Sequence, residues 1–436
     1  MKPSLILLGG LLLAACAAAP EPTDRAGYLD GDIDIVCGAL IDGIADEPRA
    51  RQLVSVRAER IVRVVPAPAA IPEAALDLGA YTCLPGLIDT HVHLASRAAD
   101  SSDMEAIYRR SIADTTRIAE ANAELTLDTG FTTVRNVGDY FPAVVLDIKR
   151  RIDAGLIAGP RILTAGPYLT IPAGGGDLVI PGVDESTIPA AARLGVARGP
   201  EEFAERAQAA IDAGADHLKV IASGAVFAFG GVPGAPEMTR EEIAAVVRVA
   251  RENGVKVTAH AHGAESIKDA ILAGVDSIEH ASLADDEAIA LAAERQVAFS
   301  MDVYNGTYTA EVGAELGYPD EFMQKNDETT EAQRIVFEKA YAAGVPLIYG
   351  TDAAVLPHGM NGRQFAVMVE RGMAPMDAIR AATSRAAQEL GIEADVGALV
   401  PGRFGDLVAV RSDPLRNIRV LESVPVVVKG GSIVKQ

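Results

Sequence analysis

The sequence predicts an α/β protein: a (β/α)8 TIM barrel with a small β-sandwich formed by its N- and C-terminal flanks. Three observations point there. Between about residues 83 and 392 one phrase recurs, an amphipathic helix, a glycine, then a short β-branched strand ending on a polar residue, as in "AIDAGADHLKV", "ARENGVKVTAH", "ILAGVDSIEH" and "AYAAGVPLIYGTD". Strands that alternate with helices in this way pair in parallel through right-handed crossovers. Eight strand candidates can be counted, at 84–94, 132–139, 161–169, 216–223, 255–262, 275–281, 298–304 and 346–352, and eight such units close into a barrel with its reactive groups at the C-terminal face. Finally, residues 32–82 and 393–436 read as short strands and turns, so the two flanks are expected to pair with each other. A doubly wound open sheet is the competing fold, and the even spread of polar strand ends around the circuit counts against it.

Each part can be justified in turn. Residues 1–16 carry one early Lys2, a short apolar run and small residues. That is an export signal, since a membrane span needs roughly 20 apolar residues. Its end, Leu13-Ala14-Ala15-Cys16, resembles the bacterial lipoprotein signal, which implies a lipidated Cys16, a periplasmic or outer-membrane lipoprotein of a Gram-negative-type bacterium, and membrane contact only through that anchor. Residues 17–31 are a small, polar tether. In the flank that follows, Cys37 is one of two remaining cysteines; it could pair with Cys83 in an oxidising compartment, or both could be buried thiols. Within the barrel, Gly214, Gly254, Gly274 and Gly344 fall just past a helix, where positive φ suits glycine, and Thr239 with Glu242 forms a capping box. Acidic residues outnumber basic ones 60 to 39 with no Lys/Arg-rich block, which argues against a nucleic-acid partner.

The strand ends carry the chemistry. In "YTCLPGLIDTHVHL", His91 and His93 are two apart and so project from one face of a strand. Lys219 lies on strand four, His260 and His262 end strand five, His280 ends strand six and Asp352 ends strand eight. Singly, each has an ordinary explanation: a lysine that snorkels, an aspartate that caps a helix, a histidine satisfied in the core. Together they converge on one pocket in a closed barrel. His217 is set aside as turned off the face of Lys219, and His358 as lying in the loop after strand eight. Imidazole and oxygen donors without a cysteine cluster suit Zn²⁺, at roughly 2.0–2.2 Å.

With "GALIDG", "LPGLIDTHVHL", "KVIASG", "TAHAHG", "SIEHAS", "YGTDA" and "PGRFGDLVAV" in order, the chain resembles the amidohydrolase superfamily, in particular its imidazolonepropionase-like branch with metal-dependent Xaa-Pro and other dipeptidases. The resemblance spans nearly the whole mature chain. It implies two zinc ions: His91, His93 and Asp352 on the inner, His260 and His280 on the outer, and Lys219 bridging both as a carbamate. Two metals about 3.5–4 Å apart would lower the pKa of a bridging water and polarise a carbonyl. Asp352 and Lys219 are then the catalytic pair, with Asp352 passing the water's proton to the leaving amine. Gly405, where "AD" is common, and Ala225, where a second glycine often sits, depart from the pattern and bear on substrate detail.

Two Gly/Pro-rich stretches, "TIPAGGGDLVIPGVDESTIPAAARLG" after strand three and "SGAVFAFGGVPGAPEM" after strand four, are expected to roof the pocket. Phe227 and Phe229 in the second either line an apolar side-chain pocket or pin the loop to the barrel. His262 is the candidate for a substrate carboxylate, followed by Arg135 and Tyr168, for which an interior ion pair and a packed phenol are alternatives. The expected activity is hydrolysis of an amide or peptide bond in a small-molecule substrate, a dipeptide or N-acyl amino acid of Xaa-Pro or Xaa-hydrophobic type. The rivals are a cyclic-amide hydrolase or deaminase, and a non-catalytic binding lipoprotein. Self-association into a homo-oligomer is compatible with the sequence.

Overall fold

The structure, a computed structural model, describes residues 32–436. The export signal, Cys16 and the tether up to residue 31 lie outside the described residues. The chain opens with four strands, β1 (Ile33–Leu40), β2 (Arg49–Arg57), β3 (Arg60–Pro66) and β4 (Leu76–Pro85). Eight short strands alternating with helices follow: β5 (Leu87–Val92), β6 (Phe131–Asn136), β7 (Arg161–Thr164), β8 (His217–Ile221), β9 (Lys256–Gly263), β10 (Ser277–Leu283), β11 (Ala298–Ser300) and β12 (Leu347–Ile348). Each coincides with one of the eight stretches read from the sequence, although β6, β9 and β10 overrun theirs by one or two residues. The chain ends on β13 (Leu407–Val410), β14 (Val426–Lys429) and β15 (Ser432–Lys435).

All eight central strands pair in parallel, in two runs, β5-β6-β7 and β8 through β12. Two seams join the runs into a barrel. At one, Leu169 bridges Val220, with Leu169 N donating to Lys219 O and Ile221 N to Leu169 O, both at 2.9 Å. At the other, Val92 bridges Ala353, and Asp352 N donates to His91 O at 2.8 Å. The second seam places the two ends carrying His91, His93 and Asp352 side by side. On β8, Leu218 and Val220 pack outward with Phe203, Ile243 and Val246 of the surrounding helices. Since side chains alternate along a strand, His217 and Lys219 both turn inward, which corrects the expectation that His217 faces away from Lys219. Gly214, Gly254, Gly274 and Gly344 all have positive φ, from +70° to +107°, and the Thr239/Glu242 capping box is formed at the helix Arg240–Glu252.

The flanks pair as one continuous sheet in the order β15-β14-β13-β4-β1-β2-β3. The join is β4 with β13, antiparallel, from Leu407 opposite Pro85 to Val410 opposite Thr82. Ile35, Leu40, Val54, Leu78, Leu407 and Val428 share one apolar core, so the sheet wraps about its own interior. Cys37 and Cys83 form a disulfide between the neighbouring strands β1 and β4, which settles the alternative left open by the sequence. The connection into the barrel passes Gly86, where a Cβ would stand 2.2 Å from Thr132 Oγ1 and 2.9 Å from Asp406 Cβ. Only glycine lets the sheet and the barrel approach this closely.

Candidate metal centre

The seven groups singled out at the strand ends all line one pocket at the C-terminal face of the barrel: His91, His93, Lys219, His260, His262, His280 and Asp352. Asp352 Oδ1 lies 3.3 Å from His91 Nε2 and 3.2 Å from His93 Nε2. His260, His262 and His280 form a second cluster, with ring centroids 4.6–4.8 Å apart. A third grouping links His280, Asp302 and Asp352; in each of the three, one possible ligand atom per residue falls within 4.8 Å of the others.

The imidazoles are held so that they can ligate. His91 Nδ1 donates to Glu279 Oε2 at 2.7 Å, His93 Nδ1 to Gly138 O at 2.8 Å, and His280 Nδ1 to Asp302 Oδ1 at 2.9 Å. These partners only accept, so the proton sits on Nδ1 and the Nε2 lone pair faces the pocket. His260 hydrogen-bonds the backbone of Gly224, and its Nε2 has no partner. Lys219 Nζ is likewise buried, and neither atom has a partner among the described residues. An orphaned ammonium and an orphaned imidazole nitrogen in a dry site are costly. A bound cation would satisfy the imidazole, and the donor set of neutral imidazoles and carboxylates fits a divalent metal.

Electrostatics support the same assignment of charges. Burial would raise the Asp352 carboxyl, but the imidazoles of His91 and His93 outweigh it and hold the group well below the usual carboxylate range. Burial pushes the Lys219 ammonium down to about 8, against the opposing charge of Glu279. Burial, with the neighbouring charges of His280 and His262, holds His260 well below its ordinary value, and His262 is pushed down to about 3 chiefly by burial. Neutral imidazoles at neutral pH are what a cation requires. The backbone is strained at two of the candidate ligands: His280 and Asp352 adopt left-handed φ of +67° and +56°, and β10 carries a bulge beyond His280. Such strain is found where a site dictates side-chain direction.

Behind the candidate ligands lie groups that the sequence does not single out. Glu279 accepts from His91, from Arg135 Nη2 at 2.6 Å and from Thr258 Oγ1. Asp302 accepts from His280, from Gln333 Nε2 at 2.7 Å and from Asn305 Nδ2 at 3.0 Å. Asp302 ends the seventh barrel strand in "AFSMD" and so carried the same signal as the others, a polar residue at a strand end. Asn305 and Gln333 sit on helices, where nothing local marks them.

The candidate substrate contacts divide. His262 lines the pocket with Nδ1 2.9 Å from Ser282 Oγ, and Tyr168 lines it with its hydroxyl 3.0 Å from His93 Nδ1. Gly138, at φ +122°, packs under the Tyr168 ring, where a Cβ would approach to 2.6 Å. Phe227 faces the pocket, while Phe229 does not line it and instead packs on Phe322 with centroids 4.7 Å apart. Arg135 does not line the pocket either. It is buried in its ion pair with Glu279 and also donates to Thr90 O at 2.7 Å, so the interior ion pair is the reading the structure favours. His358 lies between Thr126 Oγ1 and His93 O.

Comparison with known proteins places this site in a family. The amidohydrolase family model matches residues 82–434. An ochratoxinase of Aspergillus niger is 30% identical over 437 residues, covering 92% of this chain and 86% of the relative. Among solved structures, a Xaa-Pro dipeptidase with methionine bound in its active site superposes with a TM-score of 0.86 at 35% identity, covering 93% of this chain and 100% of that one. A prolidase complexed with N-methylphosphonate-L-proline superposes at 0.85, with 28% identity and coverage of 93% and 100%. With groups of histidines and aspartates that could hold a metal at the mouth of a closed barrel, and this likeness along almost its whole length, the chain belongs to the amidohydrolase family and is an amide-bond hydrolase.

Proposed function

We propose that the protein is a binuclear zinc hydrolase of dipeptides or N-acyl amino acids with a proline or hydrophobic residue at the cleaved bond. The observation that carries the reading is Lys219: a buried amine without a partner among the described residues, lining the same pocket as five imidazoles and Asp352. Reaction of the neutral amine with CO2 forms an N–C bond, releases one proton and leaves a carboxylate-like anion that can be shared between two cations. His91, His93 and Asp352 would hold one ion, and His260 and His280 the other. The likeness to the Xaa-Pro dipeptidase and to the ochratoxinase supports the substrate class.

The chemistry supplied by two bound divalent cations is acidification of a water and polarisation of the substrate carbonyl. The remaining work belongs to the chain. Asp352 accepts the water's proton and returns it to the nitrogen of the departing amine, a step that a poor leaving group requires. Tyr168, whose phenol burial keeps protonated, donates to the carbonyl oxygen as negative charge develops there. His262 faces the substrate carboxylate, and Phe227 offers apolar surface to a side chain. The test is a library of dipeptides and N-acyl amino acids offered to zinc-loaded enzyme, with metal counted in wild type and Lys219→Ala. Two ions per chain, lost in the variant and partly restored with short carboxylates, is the expected result. One ion, unchanged in the variant, would overturn the binuclear reading.

A further inference from the structure

Asn305 opens the helix Asn305–Leu316 and is buried, with 4% of its surface exposed. Its Nδ2 donates to Asp302 Oδ2 at 3.0 Å and to Asp352 Oδ2 at 3.3 Å. Two carboxylates can only accept, so the orientation of the amide is set: nitrogen toward the carboxylates, oxygen away from them. That oxygen is buried and has no partner among the described residues, although the residue lines the pocket. A buried acceptor without a donor is costly, and Asn305 is itself part of the pocket wall.

The surroundings and the substrate select the donor. Two backbone N–H groups at this helix start are already used, Asn305 N by Asp302 O and Thr307 N by Tyr304 O. Asp302 and Asp352 touch the same amide, and Asp100 is a third carboxylate on the pocket wall. The wall's arginine, Arg97, is already engaged with Asp100 at 3.1 Å. The two proposed cations would offset these carboxylates, so the donor is chosen by the substrate: the α-ammonium of an unblocked dipeptide can donate here whether or not the scissile nitrogen carries a proton.

We propose that Asn305 Oδ1 accepts a hydrogen bond from the free α-ammonium group of the substrate's N-terminal residue, which makes the enzyme selective for unblocked dipeptides. The proposal rests on the amide-hydrolase centre described above. The N–H of the scissile amide is the other source of the same chemistry, and the substrates distinguish them, because an Xaa-Pro bond has no such N–H.

Zinc-loaded enzyme is assayed on Phe-Ala and Phe-Pro and on their desamino counterparts, 3-phenylpropanoyl-Ala and 3-phenylpropanoyl-Pro. A hydrogen bond to a charged group is worth roughly 10- to 100-fold. Wild type should therefore prefer the amine by at least about tenfold in kcat/KM in both pairs, and Asn305→Ala, compared at equal metal content, should bring both ratios toward one. A wild-type preference absent from both pairs overturns the proposal. So does an Asn305→Ala loss that falls on both Ala substrates and spares both Pro substrates, which would assign the contact to the scissile N–H. Calorimetric binding of L-phenylalaninamide against 3-phenylpropanamide to wild type separates this inference from the reading beneath it. If none of the four amides is cleaved, the dipeptide and N-acyl amino acid reading fails; tighter binding of the amine would still support the Asn305 contact, and equal binding would overturn it.

Discussion

Asp352 has two imidazoles on one oxygen and the Asn305 amide on the other, an arrangement in which ligation and proton transfer can be separated by one substitution. Asp352→Asn keeps the shape and a ligating oxygen but has no basic oxygen for the proton. Metal content should be largely retained while kcat/KM on an accepted dipeptide falls by about 10²–10⁴-fold, the usual worth of general acid–base transfer. A helix cap would behave differently, since Asn caps as well as Asp. A loss under tenfold at equal metal content would remove Asp352 from the proton path.

Between the strands and the solvent lie the two Gly/Pro-rich segments, and Glu237 joins them. Its backbone N donates to Ala222 O, and its Oε2 accepts from Gly175 N at 2.8 Å, so one side chain ties the segment after β7 to the segment after β8. The second segment is also seated on the helix Asp320–Ala342, where Lys325 Nζ donates to Ala228 O and Phe229 packs on Phe322. Burial pushes the Glu237 carboxyl up to about 7. Between its ordinary value and about 7 the folded protein therefore binds more protons than the unfolded one. Stability from this group is present at low pH and is lost as pH rises through that window. Glu237→Gln keeps an acceptor for Gly175 without the charge. It should match wild type near pH 4.5 and exceed it at pH 8 by about 2 kcal/mol after allowance for partial exposure. Denaturant midpoints at the two pH values check this, and a difference independent of pH would exclude the assignment.

At the scale of the whole molecule, the barrel was legible because its signals are local: a glycine after most of its helices, a β-branched run, a polar residue where each run ends. Even β11 and β12, three and two residues long, were located this way. What depends on long-range pairing was not legible. The β4–β13 register, the neighbours of Arg135, and the contacts that divide Phe227 from Phe229 are set by elements far apart in the chain. The Cys37–Cys83 bond belongs to the same class, since it required β1 and β4 to be neighbours. Such a bond persists in an oxidising compartment, which agrees with the export and lipid anchoring proposed from Leu13-Ala14-Ala15-Cys16. If that proposal holds, Cys16→Ala should move the protein from the membrane to the soluble periplasmic fraction, and a wild-type protein already found there would end it. The bond's energetic role can be tested on the purified protein. It joins residues 46 apart, and a link of that span contributes about 2–5 kcal/mol, mainly by restricting the unfolded chain. Cys83→Ala should lower the urea midpoint accordingly while leaving metal content intact, because His91 and His93 are positioned by the barrel seam and not by the flanking sheet. Reductant should bring wild type down to the variant's midpoint and leave the variant unmoved. A wild-type midpoint insensitive to reductant would show that the strand pairing around β4, not the covalent link, holds the two flanks together.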